Sequence, residues 1–578
     1  MKYTRFDVKY YKAIENITIN LSKNVIPLIG INESGKTSIL HAILAFDKDK
    51  DTLMDGLHID AKNKYKTVQA ECKLFAYVLF VDQAEFNEIG QEISLSMDSP
   101  LYTWLRTKFE NREEICLSRD NKNNLFQKTY SLVGENEEIL TSKKLSQLVN
   151  AIVKRLPNIL YFDDFSDRVP DTICFSDSYI VDQKLGRGIE REWQQIIVEI
   201  FSRGIDEKFS LIDFFKLSNE DEQENYLSDV QDTLNREIIE EWRKLKQVYS
   251  GFGEDAEDLT LKIRHTHENS KHIFKFKVID SENNDSKRLF DISSRSKGFQ
   301  WYFNFIVKLK FNPKYKHHPT NAIYLLDEPG SYLHSSAQTE LLKKLCEIGK
   351  DNKIIYCTHS QYLLDPEIIN LSAIKIVSKD DGKIILEDYG NSIATRSLGA
   401  FSALNDALQL KFGFHENILR RCILTEGIVD YYFFKMFLDL KSTRIMPGAG
   451  CGQLKELISI LISCSEHFVV ILDYDGEGRN SYSTYKHYFE ESFTKYAYQY
   501  EGLRNDTNDF VLEDVLDSYD IERLKTFTDC RNIKNAITTL FYSSADKVTE
   551  YKKLMTDNSI KSLEILKRKL CNIIGQKV

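Results

Sequence analysis

Proline is scarce in this sequence, nine among 578 residues, and no low-complexity stretch interrupts it. A stiff Pro-rich spacer between domains is thereby excluded. The ten cysteines include no CxxC pair and no Cys/His cluster at metal-ligand spacing. Cys72, Cys346, Cys357, Cys422 and Cys464 stand among apolar neighbours and read as small core side chains, so neither a disulfide framework nor a zinc site is expected. No segment approaches the roughly 18 uncharged apolar residues of a spanning helix, and the opening MKYTRFDVKYYKAIENITI has no apolar leader core. The expectation is a cytoplasmic protein with no membrane partner. A basic excess is also missing, since the formal net charge is −10. That disfavours a protein that passively coats nucleic acid. It leaves room for an acidic catalytic site with its basic groups confined to one groove.

What is present is a globular composition, 42% hydrophobic and 28% charged, in a length that fits about three or four domain-sized units. Segments Phe6 to Tyr10, Ile14 to Leu21 and Val25 to Ile29 read as strands converging on a Gly-rich turn, with a helix from Ser38 to Phe46. Strand character returns from Lys66 to Val81. A helix leads into the buried strand of NILYFDDF, before about Asp164. Residues 184–250 are helical and charged, either an inserted arm or dimerisation element or a solvated face of the core domain. Strands at Leu259–Ile263 and Ile273–Ile279, a helix from about Gly298 to Lys310, and the strands of AIYLLD and KIIYCTH complete a βαβ-type alternation. After Thr395 the alternation restarts, which divides the chain into residues 1–395 and 396–578.

Gly30-Ile-Asn-Glu-Ser-Gly35-Lys36-Thr37 fits the phosphate-binding pattern G-x-x-x-x-G-K-[ST], and it lies between an apolar strand and a helix. Its glycines let backbone N–H groups turn inward around phosphates, and the following helix N-terminus adds favourable partial charge. Lys36 is placed for the β- and γ-phosphates and Thr37 for Mg²⁺, with Asn32, Gly35 and Ser38 completing the loop contacts. From ordinary residue usage a chance match in this length is on the order of a few per cent. Ile323 to Leu326 form an apolar strand that ends in Asp327 and Glu328, the first for the ion and the second for the attacking water. Lys353 to Thr358 form another, ending in His359.

This order resembles an ABC ATPase head, in which the histidine senses the γ-phosphate. Ser293-Ser-Arg-Ser296-Lys-Gly298 opens a helix and resembles the signature of that head in its divergent SMC/Rad50/OLD form, though not the LSGGQ pattern itself. Ser296 and Gly298 would then contact ATP bound by a second copy, which implies a homodimer or higher homo-oligomer through the heads. The pattern does not place a Q-loop glutamine, for which Gln69 is one candidate. Asp327 follows Thr37 by 290 positions, too few for the long coiled coil of SMC and Rad50 proteins.

In the second half, Cys422-Ile-Leu-Thr-Glu426-Gly427 and Phe468-Val-Val-Ile-Leu-Asp473-Tyr-Asp475-Gly476 are apolar strands with acidic ends. Parallel strands ending at one sheet edge bring Glu426, Asp473 and Asp475 together, and so dense a charge calls for Mg²⁺ or Mn²⁺. Together with the turn containing Gly448 and Gly450, this resembles a Toprim domain. The fusion of an ABC head to Toprim resembles the OLD (overcoming lysogenization defect) nucleases. Asp430 and Glu513, the latter in the acidic stretch Phe510 to Leu516, are further ligand candidates for a two-metal arrangement. The resemblance implies an α/β protein, an ABC-type head with helical insertion followed by a Rossmann-like Toprim module. It implies an ATP-regulated endonuclease or nickase acting on DNA, with catalytic Glu426, Asp473, Asp475 and Glu328. An anti-phage role follows from the same resemblance, alone or beside a helicase or a retron reverse transcriptase with its DNA–RNA product. The alternatives are an ATP-gated scaffold without nuclease activity and a Rad50-like repair ATPase. The basic tail, Lys552 to Lys569, is either a set of phosphate contacts or a solvated helix face.

Overall fold

The computed structural model describes residues 1–48, 72–122, 125–134, 139–140, 143–163, 169–204, 210–247, 259–280, 288–311, 321–365, 367–389, 421–438, 440, 443–448, 450–464, 468–494, 496–500 and 509–574. The chain separates into two compact units, Met1–Asp365 with Ala373–Leu386, and Pro366–Ser372 with Glu387–Val578. Gln69, Thr395 and the first residues of the Lys66–Val81 stretch lie outside the described residues.

The first unit holds two kinds of sheet for two kinds of sequence. Lys2–Tyr11 buries Tyr3, Phe6, Val8 and Tyr11 and leaves the residues between them accessible, and it pairs antiparallel with Ile14–Asn20 and Lys73–Leu79. Ile115–Lys122, Leu125–Val133 and Ile139–Leu140 extend this sheet to six strands. Val25–Ile29, by contrast, is buried at every position. Burial on both faces suits a parallel sheet covered on both sides, where strands read as continuous apolar runs. It sits between Lys375–Asp380 and Lys353–Thr358, and Ile323–Asp327 and Ile159–Asp163 follow in register beyond them. The helix Lys36–Leu44 buries Ile39, Leu40, Ile43 and Leu44, in a core shared with residues of both sheets. Each such side chain contributes about 1.5–3 kcal/mol by leaving water. The loop between Val25–Ile29 and this helix is thereby pinned at both ends.

The helical stretch comprises Gly188–Gly204, Leu211–Lys216, Glu220–Leu234, a π-helical turn at Asn235–Ile239 and Glu240–Gln247. Its aromatic face lies on a third sheet, built of Leu259–Glu268, Lys271–Asp280, Arg288–Asp291 and Ile173–Ser176. Trp193 meets Phe276 at 6.3 Å between ring centroids and Phe201 meets Phe274 at 5.5 Å. At the far end Trp242 packs edge-on to Phe299, in the helix Lys297–Phe311.

The second unit is a parallel four-stranded sheet in the order Arg444–Pro447, Cys422–Thr425, Phe468–Leu472, Ala497–Gln499. Side chains alternate across it, as a period of two requires. Ile423, Val469 and Ile471 join a core with the C-terminal helices, including Leu524, Ile537, Leu540, Leu566 and Leu570. Cys422, Leu424, Phe468, Val470 and Leu472 join a second core with Leu454, Ile458 and Leu461. The sheet is therefore covered on both faces, in a three-layer α/β arrangement.

Asp520, fully buried at 0% exposure, ties the C-terminal helices together. Its carboxylate accepts from Ser559 Oγ at 2.6 Å, Thr556 Oγ1 at 2.7 Å and the Thr556 backbone N–H at 2.9 Å. Burial acts to raise its pKa, but these donors outweigh it and hold the group below its ordinary value. A depressed folded pKa contributes stability above the unfolded value near 3.9. That contribution disappears as pH falls through the folded pKa. Asp520→Ala is expected to destabilise the protein by about 2–4 kcal/mol, because it strands buried donors. Urea unfolding at pH 7 measures that cost. Repeating it between pH 5 and 3 should show an acid-induced loss in the wild type that is diminished in Asp520→Asn.

Candidate functional site

The loop after Val25–Ile29 turns through Gly35, whose φ of 107° lies in the left-handed region that favours glycine. A Cβ there would also stand 2.2 Å from Ile384 Cδ1. Lys36 opens the helix and folds back into the loop, with Nζ donating to Gly30 O at 2.9 Å and Ile31 O at 3.1 Å. Nζ also lies 2.9 Å from His359 Nε2. Burial lowers the Lys36 pKa against the opposing pull of Glu328 and Asp327. Ser34 Oγ is buried in the same loop without a hydrogen-bond partner. A polar group in that position is costly unless something accepts or donates to it. An inward-folded lysine, a helix N-terminus and an unsatisfied hydroxyl suit a phosphate chain, so the residues fit a bound nucleotide.

Asp327 and Glu328 end the strand two places across the sheet, and His359 ends the strand between. Glu328 holds φ at 50°. Its Oε2 accepts the His359 backbone N–H at 3.2 Å, and Oε1 lies 3.2 Å from the His359 ring. Burial, followed by the charge of Lys36, lowers the His359 pKa, so the ring is held neutral at pH 7. Asp327 is raised by burial, while Thr37 and Tyr161 hydrogen-bond to it and lower it. Lys36, Thr37, Asp327, Glu328 and His359 are thus one connected set. Asn32 is exposed and Ser38 half-buried beside it. Tyr161, whose OH lies 3.3 Å from Asp327 Oδ2, was not anticipated. The signal was available in NILYFDDF, which forms the neighbouring strand in register with Ile323–Asp327. Ser296 and Gly298 begin the helix Lys297–Phe311, where Ser296 Oγ accepts from the Phe299 N–H at 3.3 Å. Their recorded contacts are with that helix and with Tyr332 and Leu333 rather than with the phosphate loop.

In the second unit, Cys422–Thr425 and Phe468–Leu472 are adjacent and parallel, so Glu426 and Asp473 leave the sheet side by side. The Asp473 N–H donates to Glu426 Oε2 at 3.2 Å. The Leu512 N–H donates to Asp473 Oδ1 at 3.0 Å. That segment is drawn in by reciprocal backbone bonds between Tyr474 and Phe510, at 2.8 and 2.9 Å. It delivers Glu513, which is 8% exposed. Asp430 accepts from the Gly427 N–H at 2.8 Å, and Asp475 from the Gly478 N–H at 2.7 Å. Gly448 packs so closely that a Cβ would stand 2.8 Å from Glu426 O.

Burial pushes Asp473 up to about 8, reinforced by Glu426, Asp430 and Glu513. Burial likewise raises Asp430 to about 7, with Glu426 and Glu513 adding to it. Glu426 is raised by burial, with Asp475 and Glu477 contributing. All five carboxylates expected from the sequence therefore share one electrostatic neighbourhood, and Glu477 is an addition. It sits two residues after Asp475, in the first turn of a helix, and its position was readable but its role was not. Among the described residues no three of these carboxylates bring oxygen atoms within 4.8 Å of one another. The all-oxygen donor set is the kind that Mg²⁺ or Mn²⁺ takes.

Several known proteins are similar to this chain. The SMC head bound to the C-winged-helix domain of ScpA aligns over 67% of the chain and 98% of its own length, at 15% identity and a TM-score of 0.37. The SMC head domain from Thermotoga maritima aligns over 67% and 99%, at 15% identity and a TM-score of 0.32. An uncharacterized protein of Methanocaldococcus jannaschii is 34% identical over 98 residues, 17% of this chain and 26% of that protein. Endonuclease GajA of Bacillus cereus is 22% identical over 451 residues, 76% of this chain and 68% of that protein. No described helix is long and apolar enough to cross a membrane. The AAA ATPase domain family (AAA_15) matches residues 1–364, the whole span that carries the phosphate loop, the Asp327–Glu328 pair and His359. By that match the chain belongs to the AAA ATPase domain family.

Proposed function

We propose that this protein is an ATP-regulated, metal-dependent DNA endonuclease or nickase, with an ABC-type head over residues 1–395 and a Toprim nuclease module over residues 396–578. The observation that carries the reading is the delivery of Glu426 and Asp473 to one sheet edge by adjacent parallel strands, with Asp430, Asp475 and Glu513 around them. The likeness to endonuclease GajA, which extends over 76% of this chain, supports it.

Glu426, Asp473 and Asp475 would hold Mg²⁺ or Mn²⁺, and Asp430 and Glu513 would add ligands for a second ion. When bound, the metal supplies Lewis acidity and an activated water for phosphodiester cleavage. The chain's own contribution is orientation. The Leu512 N–H fixes one oxygen of Asp473, and the Gly478 N–H fixes one of Asp475. In the head, Lys36 would neutralise the β- and γ-phosphates, and Thr37 with Asp327 would hold the nucleotide's Mg²⁺. Glu328, locked by both the backbone and the ring of His359, orients the attacking water. Asn32, Gly35 and Ser38 line the loop. Ser296 and Gly298 reach ATP on a second head, so the working form is at least a homodimer. The biological role is anti-phage defence, alone or with a helicase or retron reverse transcriptase.

Two substitutions separate the two chemistries. Lys36→Ala is expected to lower ATP hydrolysis at least about a hundredfold, through loss of charge stabilisation at the phosphates; phosphate release measures it. Asp473→Ala is expected to lower Mg²⁺- or Mn²⁺-dependent cutting of supercoiled plasmid by a similar factor while ATP hydrolysis persists. Plasmid cutting that survives in Asp473→Ala overturns the nuclease assignment. A wild type that hydrolyses ATP but leaves DNA intact, even with its neighbouring genes' products, returns the scaffold reading.

A further inference from the structure

The two-residue turn Asn269-Ser270 has both φ angles positive, at 51° and 59°. Such a turn matches the twist of a tight hairpin. It sets the register between Leu259–Glu268 and Lys271–Asp280, and in that register His267 stands directly opposite His272. On the other side of His272 runs Ile173–Ser176, with Phe175 as its partner. The next residue, Asp177, donates its backbone N–H to Ser270 O at 3.2 Å. Three strand segments thus bring Asp177, His267 and His272 to one corner. Asp177 Oδ1 lies 2.9 Å from His267 Nε2 and 3.6 Å from His272 Nε2. All three donor atoms fall within 4.8 Å of one another, and no other group of three His, Cys, Asp or Glu among the described residues does so.

The geometry points to a metal site here: Asp177, His267 and His272 form a three-ligand seat for a divalent transition ion of the Zn²⁺ class, distinct from the acidic cluster. A tetrahedral ion with bonds of about 2.0–2.2 Å spaces its ligand atoms about 3.3 Å apart, a value the two measured separations bracket. Two imidazoles and one carboxylate are a donor set that suits Zn²⁺, Co²⁺ or Ni²⁺ better than Mg²⁺. The outer contacts are those of a ligand held in one orientation. His272, 8% exposed, stacks on Phe215 at 3.8 Å and faces His267 at 4.4 Å between centroids. Its Nδ1 lies 3.0 Å from His265 Nε2. If His272 Nδ1 carries the proton, it donates to His265 and leaves the Nε2 lone pair toward Asp177. Half the side chain of His267 is exposed, at 51%, which gives the ion a path from solvent and leaves a fourth position for water. The bound ion would clip the end of Ile173–Ser176 to the hairpin. Cysteine spacing in the sequence gave no hint of zinc, because none of these ligands is a cysteine and ninety residues separate Asp177 from His267.

Co²⁺ titration of the chelator-stripped full-length protein tests the proposal. The visible d–d absorption of four-coordinate cobalt should appear with one equivalent and be displaced by Zn²⁺. Binding should persist in Asp473→Ala, which removes a carboxylate of the other cluster. It should weaken in both Asp177→Asn and His267→Ala by more than the roughly ten- to hundredfold that an outer-contact loss costs. Both positions are exposed enough for the variants to fold, which their circular dichroism checks. Zn²⁺ should raise the Tm of the wild type and not of the two variants. Absence of the cobalt bands in the wild type overturns the proposal, as does binding unchanged in both variants. Binding lost only in Asp473→Ala assigns the ion to the acidic cluster and overturns it equally.

Discussion

Carboxylates buried at the ends of parallel strands are the constraint around which both units are arranged. Two unit charges about 4 Å apart repel by roughly 4 kcal/mol in an effective dielectric of about 20. Burial adds a desolvation cost for each. Neither unit dissipates this by spreading its acids over the surface. In the first unit Asp327 and Glu328 are balanced by Thr37, Tyr161, Lys36 and the backbone of His359. In the second, one oxygen each of Glu426, Asp430, Asp473 and Asp475 is taken by a backbone N–H. Those bonds do not neutralise the cluster, because burial and like charge still push Asp473 up to about 8. A divalent cation at the cluster would relieve that excess.

The phosphate loop solves the opposite problem, a buried cation. Lys36 is 6% exposed and faces two loop carbonyls. It also reaches His359, which is bound in turn to Glu328. The lysine, the histidine and the glutamate are therefore linked to one another. A γ-phosphate at Lys36 would compete with the contact to His359 and change what holds Glu328. Such a change at the end of one central strand is a local route by which nucleotide state can be felt within the first unit.

Much of this was legible because the decisive signals are local in sequence. Val25–Ile29, Ile323–Asp327 and Phe468–Leu472 are unbroken apolar runs ending in Gly or acid, and a parallel strand buried on both faces needs such a run. Once the strands are parallel, their ends converge, and Glu426 with Asp473 follows. What escaped the reading depends on pairing between distant segments. Tyr161 reaches Asp327 only because Ile159–Asp163 is the neighbour of Ile323–Asp327. Glu513 was expected from its acidic stretch, but the route that brings it in, the two backbone bonds of Phe510 with Tyr474, is announced by no periodicity. The helices between 188 and 247 read as charged because their outer faces are charged. Trp193, Phe201 and Trp242, which anchor them to the sheet and to Lys297–Phe311, are a minority of their residues.

The two proposed cation seats differ in ligand chemistry. The acidic cluster offers oxygen alone, on backbone-fixed carboxylates, and suits a hard ion that keeps several waters. The corner at Asp177 offers two imidazole nitrogens from a rigid hairpin, stacked against an aromatic ring, and suits a borderline ion held tightly. Cellular Mg²⁺ is a poor competitor for imidazole, and a scarce Zn²⁺-class ion would be taken first by the nitrogen site. Selectivity then follows from ligand type, and occupancy of one seat need not disturb the other.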